Sequence, residues 1–175
     1  MRALNLSYTS REQVEVYRFS WPVSVGLPLL LMALQAFLPV RLHYFRVFDF
    51  GLLLTIFFAV SRRSQLSGTL TGAAIGMLQD GLTHTPFGVF GIAKTLVGYG
   101  ASSIGIRIDV ENPGSRFLLA FFFYAVHQAV FVAVERELMG QSIHVNLGHE
   151  AGAALANSVM AVFLFALLNR FKIRD

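Results

Sequence analysis

The chain has 175 residues, of which 55% are hydrophobic and 14% charged, and its mean hydropathy is +0.60. Soluble domains carry charge on about a quarter of their residues, so this is not an ordinary soluble domain. The absence of cysteine excludes disulfides and thiolate metal sites. The net charge of +4 is scattered between apolar blocks, a pattern of membrane topology and not of a nucleic-acid surface.

In chain order, residues 1–18 are too polar and too long for a simple signal n-region. Thr9 followed by Glu12 fits a capping box, which predicts a short helix at the membrane surface. The first apolar block ends at Pro39-Val40-Arg41 without a small-residue cleavage site, so it is expected to remain as an anchor. Apolar blocks then predict six helices at about 20–40, 45–61, 68–83, 88–106, 116–134 and 151–168. Residues 169–175 form a basic tail. The expected fold is all-α: one transmembrane domain over 1–175, a polytopic bundle of about six helices. Helices two and three are short for a bilayer and need shelter from their neighbours.

Basic residues choose the orientation. With the N-terminus cytoplasmic, ten of them (Arg2, Arg11, Arg18, Arg62, Arg63, Arg107, Arg116, Arg170, Lys172 and Arg174) lie on the cytoplasmic side, against Arg41, Arg46 and Arg136 outside. That is a clear positive-inside bias, with both termini cytoplasmic. The longest external segment is ERELMGQSIHVNLGHE at 135–150, too small to be a domain.

Helix three carries Gly68, Gly72 and Gly76 at four-residue spacing, and Asp80 continues the series. Residues i and i+4 share a helix face, and such small-residue stripes let helices approach closely in lipid. Helix four carries Gly91, Lys94, Gly98, Ala101 and Gly105 on a matching face. The short connector with Pro86 and Gly88 makes the two an antiparallel hairpin. Folding it about residue 85 sets Asp80 near Gly91, with Lys94 one turn deeper and able to snorkel back. The expectation is that Asp80 and Lys94 neutralise each other inside the membrane. Three roles are open to such a pair: fixing helix register, reading a partner's transmembrane helix, or carrying ions or protons. Apart from Asp49 and Asp80 no acid continues a proton path across the span.

Further along, His127 and Gln128 in helix five and Asn157 and Ser158 in helix six lie at similar depth and are expected to hydrogen-bond across an interface. Ala125, Ala129 and Ala133, with Gly152 and Ala156, read as packing faces. The bulky Phe121, Phe122 and Phe123, with His127 and Gln128, form a candidate partner-binding face. His144 and His149 lack a metal-site spacing. No nucleophile elbow, phosphate loop or dinucleotide fingerprint is present. The reading is therefore non-enzymatic, with no cofactor, no metal and no nucleic-acid partner.

From Gly68 to Gly100 the chain resembles the MreD family of the bacterial cell-elongation machinery. The resemblance rests on GAAIGMLQDG, THTPFG and KTLVGYG: a glycine-bearing third helix ending in the acid Asp80, a turn with Thr85, Pro86 and Gly88, and a fourth helix with Gly98 and Tyr99. Asp49 at the head of helix two and the pair Arg62-Arg63 after it also match. Phe48 stands where the family often has proline, and Gly81 where it often has leucine. The resemblance implies a non-enzymatic scaffold in the bacterial cytoplasmic (inner) membrane that supports rod-shaped growth and peptidoglycan synthesis. Its implied partner is an MreC-like protein, and through it a RodA-type glycosyltransferase, a penicillin-binding transpeptidase and MreB filaments. The six-helix outline is also similar to the substrate-binding subunits of energy-coupling-factor transporters. A small-solute-binding transporter subunit is accordingly the alternative function.

Overall fold

The computed structural model describes residues 18–19, 21–105, 108, 112–141 and 144–173. The expected surface helix around Thr9 and Glu12 lies outside them, as do Arg2, Arg11, Arg107 and Arg174 of the basic set. Six α-helices follow one another: α1 Trp21–Arg41, α2 Phe50–Arg62, α3 Gln65–Thr83, α4 Val89–Gly105, α5 Pro113–Ala133 and α6 Leu147–Leu168. The rest of the described secondary structure is three short helical turns and one two-residue antiparallel pairing, Arg18–Phe19 (β1) with Lys172–Ile173 (β2). That pairing holds residues 18–19 and 172–173 together at one end of the bundle. Three helices are long and apolar enough to cross a membrane: α1, α5 with its extension to Leu138, and α6 with its extension to Phe171. This is an all-helical membrane protein.

Local chemistry sets the helix starts. Asp49, Ser64, Asn112 and Asn146 each cap the helix that follows by accepting a backbone N–H in its first turn. Pro113 sits in the first turn of α5, where a missing N–H costs no helical bond. Two boundaries move from the expected ones as a result. Helix two begins at Phe50, because His43–Val47 is a separate 3₁₀ turn and Asp49 is the cap. Half of the segment 135–150 is helical, because α5 runs on as a π-turn through Val134–Leu138 and Asn146 starts α6 at Leu147.

The shortest of the six helices is also the innermost. Every residue of α2 from Phe50 to Ser61 is buried. At 13 residues it is about 20 Å long, well under the roughly 30 Å of a hydrocarbon core. It has no polar face because α1, α3, α4, α5 and α6 all pack on it. By contrast α1 is peripheral and turns Leu30, Phe37 and Val40 outward.

The tightest contact in the molecule joins α3 to α4. A Cβ on Gly68 or Gly72 would collide with the backbone of Gly98 or Lys94, and one on Gly76 would lie 2.7 Å from Gly91 Cα. The pairs Gly68–Gly98, Gly72–Lys94 and Gly76–Phe90 fold the hairpin about residue 83, where His84 in the left-handed conformation stops α3. Gly91 differs from its neighbours in the stripe, since its nearest side-chain atom would be Met77 Cγ at an ordinary 3.4 Å. The expected packing role of Gly152 is corrected: it is exposed on α6 with nothing within 4 Å of a Cβ.

The glycine contacts make a prediction that unfolding in detergent micelles checks. Gly72→Ala should lower stability by about 1–3 kcal/mol, as overpacking does. Gly152→Ala should be neutral or stabilising by up to about 1 kcal/mol, from helix propensity alone.

Candidate functional site: a buried charge cluster

Among the described residues, Gln79, Asp80, Lys94, His127, Glu135 and Asn157 are buried near one end of the bundle, where α1, α3 and α5 finish and α2, α4 and α6 begin, while Arg116 is buried at the other. Asp80, in the last turn of α3, is fully buried. Its Oδ2 accepts the backbone N–H of Gly88 at 2.9 Å and of Gly91 at 3.2 Å, and its Oδ1 that of Phe90 at 2.9 Å. The N–H groups at the start of a helix lack intrahelical partners and carry partial positive charge. Asp80 therefore caps α4 from the preceding helix. Gly88 makes the turn possible, at φ +105°, a conformation L side chains avoid.

Lys94 is fully buried too, one turn into α4. The expected Asp80–Lys94 pair is corrected. Lys94 Nζ donates to Asp49 Oδ2 at 2.6 Å, across 45 residues of sequence. The cause is the hairpin register: Lys94 lies level with Gly72, eight residues or about 12 Å along α3 from Asp80. Asp80's oxygens are moreover taken by backbone donors. Lys94 also stands 3.3 Å from His127 Nε2 and 5.2 Å above the Phe90 ring. An ammonium only donates, so Nε2 of His127 accepts and the imidazole proton sits on Nδ1. His127 in turn stacks on Phe90, with ring centroids 5.9 Å apart and planes within 3°. The ammonium is thus held by a carboxylate, an imidazole and an aromatic face.

Asp49 is fixed from three sides. Its Oδ1 accepts the Leu52 N–H at 2.8 Å, its Oδ2 holds Lys94, and its own N–H donates to Asn157 Oδ1 at 2.8 Å. Asn157 further donates to the carbonyls of Val47 and Ala153. It therefore clamps the 3₁₀ turn to α6 and does not meet His127 or Gln128 as expected. Ser158 bonds within its own helix, to the Ala154 carbonyl. Nearby, Tyr124 donates its hydroxyl to Glu150 at 3.2 Å.

Beside the cluster lies a crevice of about 180 Å³ whose lining includes Gln35, Arg46, Asp49, Gln79, His127 and Gln128, with Phe48, Phe90, Phe131 and Tyr124 as aromatic walls. A second, apolar groove of about 400 Å³ runs between α5 and α6, along Phe121, Ala125, Ala129 and Val132 on one side and Leu147 and Ala151 on the other. The expected partner face on α5 divides accordingly. Phe121 and Phe122 are 38% and 53% exposed, but Phe123 and His127 are 2% and 3% exposed, so those two cannot meet a partner. They are four residues apart and share the face that packs on α4. Of the other residues singled out in sequence, Tyr99 is half exposed on α4, and Pro86 lies in the α3–α4 turn. Ala125 and Ala129 face outward into the groove and not into the bundle.

The residue missed by sequence reasoning as a partner was Asp49. Its signal was available: an acid directly ahead of an unbroken apolar run, at the same end of the bundle as Lys94. Among the described residues no group of His, Asp and Glu could hold a metal ion, and the cluster holds Lys94 between a carboxylate and an imidazole. Chemically it fixes charge in place. Comparison with family models, curated proteins and solved structures finds no match to the chain.

A double-mutant cycle on stability tests the pairing. Lys94→Met and Asp49→Asn should couple by about 1–3 kcal/mol, because either change alone strands a buried charge. Lys94→Met with Asp80→Asn should be additive to within about 0.5 kcal/mol. Coupling to Asp80 and none to Asp49 would refute the assignment.

Proposed function

We propose that the chain is a non-enzymatic, MreD-like scaffold of the bacterial cell-elongation machinery in the cytoplasmic membrane. In this reading all six helices cross or are sheltered within the bilayer and both termini are cytoplasmic. An MreC-like partner binds through helix contacts and links the chain to a RodA-type glycosyltransferase, a penicillin-binding transpeptidase and MreB. The observation that carries the reading is the α3–α4 hairpin. The residues behind the MreD resemblance form a single built unit there: glycines in backbone contact, Asp80 capping α4, and Gly88 in the turn that makes the cap possible. The α5–α6 groove gives a single-span partner helix a seat of small residues flanked by Phe121, the composition on which helices pack in lipid.

Sidedness follows from the distribution of basic residues. Arg62, Arg63, Arg116 and Arg170 lie at the end of the bundle where β1 pairs with β2, whereas Arg41, Arg46 and Arg136 lie at the other. The positive-inside rule puts the former in the cytoplasm. A second reading, a small-solute-binding subunit of a transporter, is favoured by one observation, the polar crevice beside Asp49.

Gentle extraction of the tagged chain from its native membrane, followed by mass spectrometry, separates these readings. An MreC-like protein with the elongation synthases is the expected catch. An ATPase pair with a coupling membrane subunit would replace the scaffold reading with the transporter one. Orientation is tested independently, since the chain has no native cysteine. Tyr44→Cys should react with a membrane-impermeant maleimide on intact spheroplasts, and Gln65→Cys only after permeabilisation. The reverse pattern would invert the topology.

A further inference from the structure

The charge cluster accounts for Asp49 and Lys94 but leaves other polar side chains of the crevice beside them without partners. Gln35 Oε1 accepts the Gly51 N–H at 3.0 Å, so its amide N–H₂ has no partner among the described residues. Gln79 is 97% buried with its Oε1 unpartnered, and the Gln128 side chain makes no hydrogen bond among the described residues. Arg46, on the 3₁₀ turn at the rim, forms no ion pair among the described residues. The single carboxylate in the lining, Asp49, has both oxygens committed, to Leu52 N–H and to Lys94. With Asp49 and Lys94 cancelling, the lining offers the exposed guanidinium of Arg46 at the rim, the side-chain amides of Gln35 and Gln128 free to donate, and walls of Phe48, Phe90 and Phe131.

We propose that this crevice binds a small soluble carboxylate, with Arg46 pairing with its oxygens, the Gln35 and Gln128 amides donating to them, and the phenylalanine rings receiving its apolar part. An arginine fork matches a carboxylate in two parallel hydrogen bonds. A neutral guest leaves the arginine without its counter-charge, and a cation is repelled by it. Size narrows the choice further. At about 180 Å³ the space is below the roughly 300–1,000 Å³ of sites for drug-sized ligands, yet several times the ~30 Å³ of a water molecule. A compact acid fits that range and a whole lipid does not. The inference holds whether the chain is a scaffold or a transporter subunit, because the crevice has its own polar lining, although it adjoins the α5–α6 groove at Tyr124 and Gln128.

The test uses the purified full chain in nanodiscs of zwitterionic lipid and three probes of one shape: benzoate, benzamide and benzylammonium. Binding is read by saturation-transfer NMR titration, and folding by circular dichroism. Benzoate should bind, and the neutral and cationic probes should not. Arg46→Gln should weaken benzoate about ten-fold or more, since a hydrogen bond to a charged group is lost, and Gln128→Leu should weaken it several-fold, both with unchanged helicity. Arg46 is exposed, so its substitution leaves the core intact. Equal binding of benzamide, or benzoate affinity indifferent to Arg46→Gln, would overturn the proposal. A lipid phosphate at the rim offers the same oxyanion chemistry, so the titration is repeated in phosphatidylglycerol nanodiscs. Undiminished benzoate binding supports the soluble acid. Its loss there would assign the site to a lipid headgroup and overturn the proposal as stated.

Discussion

Backbone contact between α3 and α4 at three glycine positions is the constraint on which the rest of the structure depends. Without side chains at Gly68, Gly72 and Gly76, the helices meet with carbonyls and Cα atoms in direct contact, and dispersion between backbones replaces side-chain packing. Such a contact admits one register only. A slide of one residue in either helix would bring a side chain where no space exists. That register carries Lys94 away from Asp80 and toward α2 and α5, and it brings the first N–H groups of α4 within reach of Asp80.

The polar cluster then follows as a set of mutually dependent placements. Asn157 on α6 holds the 3₁₀ turn and the Asp49 backbone, Asp49 starts α2 and receives Lys94 from α4, and Lys94 meets His127 on α5. Four of the six helices share this one chain of hydrogen bonds. A buried ion pair adds little net stability over an apolar pair of the same size, but one member without the other is strongly unfavourable. The cluster thus acts against wrong helix arrangements more than in favour of the right one. It also explains how a 13-residue helix, too short to be anchored by its length, is held at a fixed depth.

Much of this was legible in the sequence, and the exceptions have physical causes. The six helices could be read because charges punctuate the apolar blocks, and the α3–α4 hairpin because glycine recurs at every fourth position. The register was misread because Pro86 and Gly88 suggested a turn centred near residue 85. The actual stop is His84 in the left-handed conformation, with its N–H on the Asp80 carbonyl, a choice that residue type does not announce. Asp49 was seen as a helix head but not as the partner of Lys94. Its pairing depends on α2 lying at the centre of the bundle, a tertiary fact that no local pattern encodes. Phe123 and His127 were grouped with Phe121 and Phe122 by proximity in sequence, although a helix sends them to opposite faces.

The cap that Asp80 places on α4 bears on how the chain is made. An aspartate alone in a transmembrane helix costs about 2.5–3.5 kcal/mol at the translocon, and α3 falls outside the helices apolar enough to cross a membrane by themselves. Yet the donors that satisfy Asp80 arrive within eleven residues, on Gly88, Phe90 and Gly91. On the six-crossing reading, α3 is therefore not a unit of insertion. It waits at the translocon until α4 has emerged from the ribosome, and the two enter the lipid together as a closed hairpin with Asp80 already hydrogen-bonded.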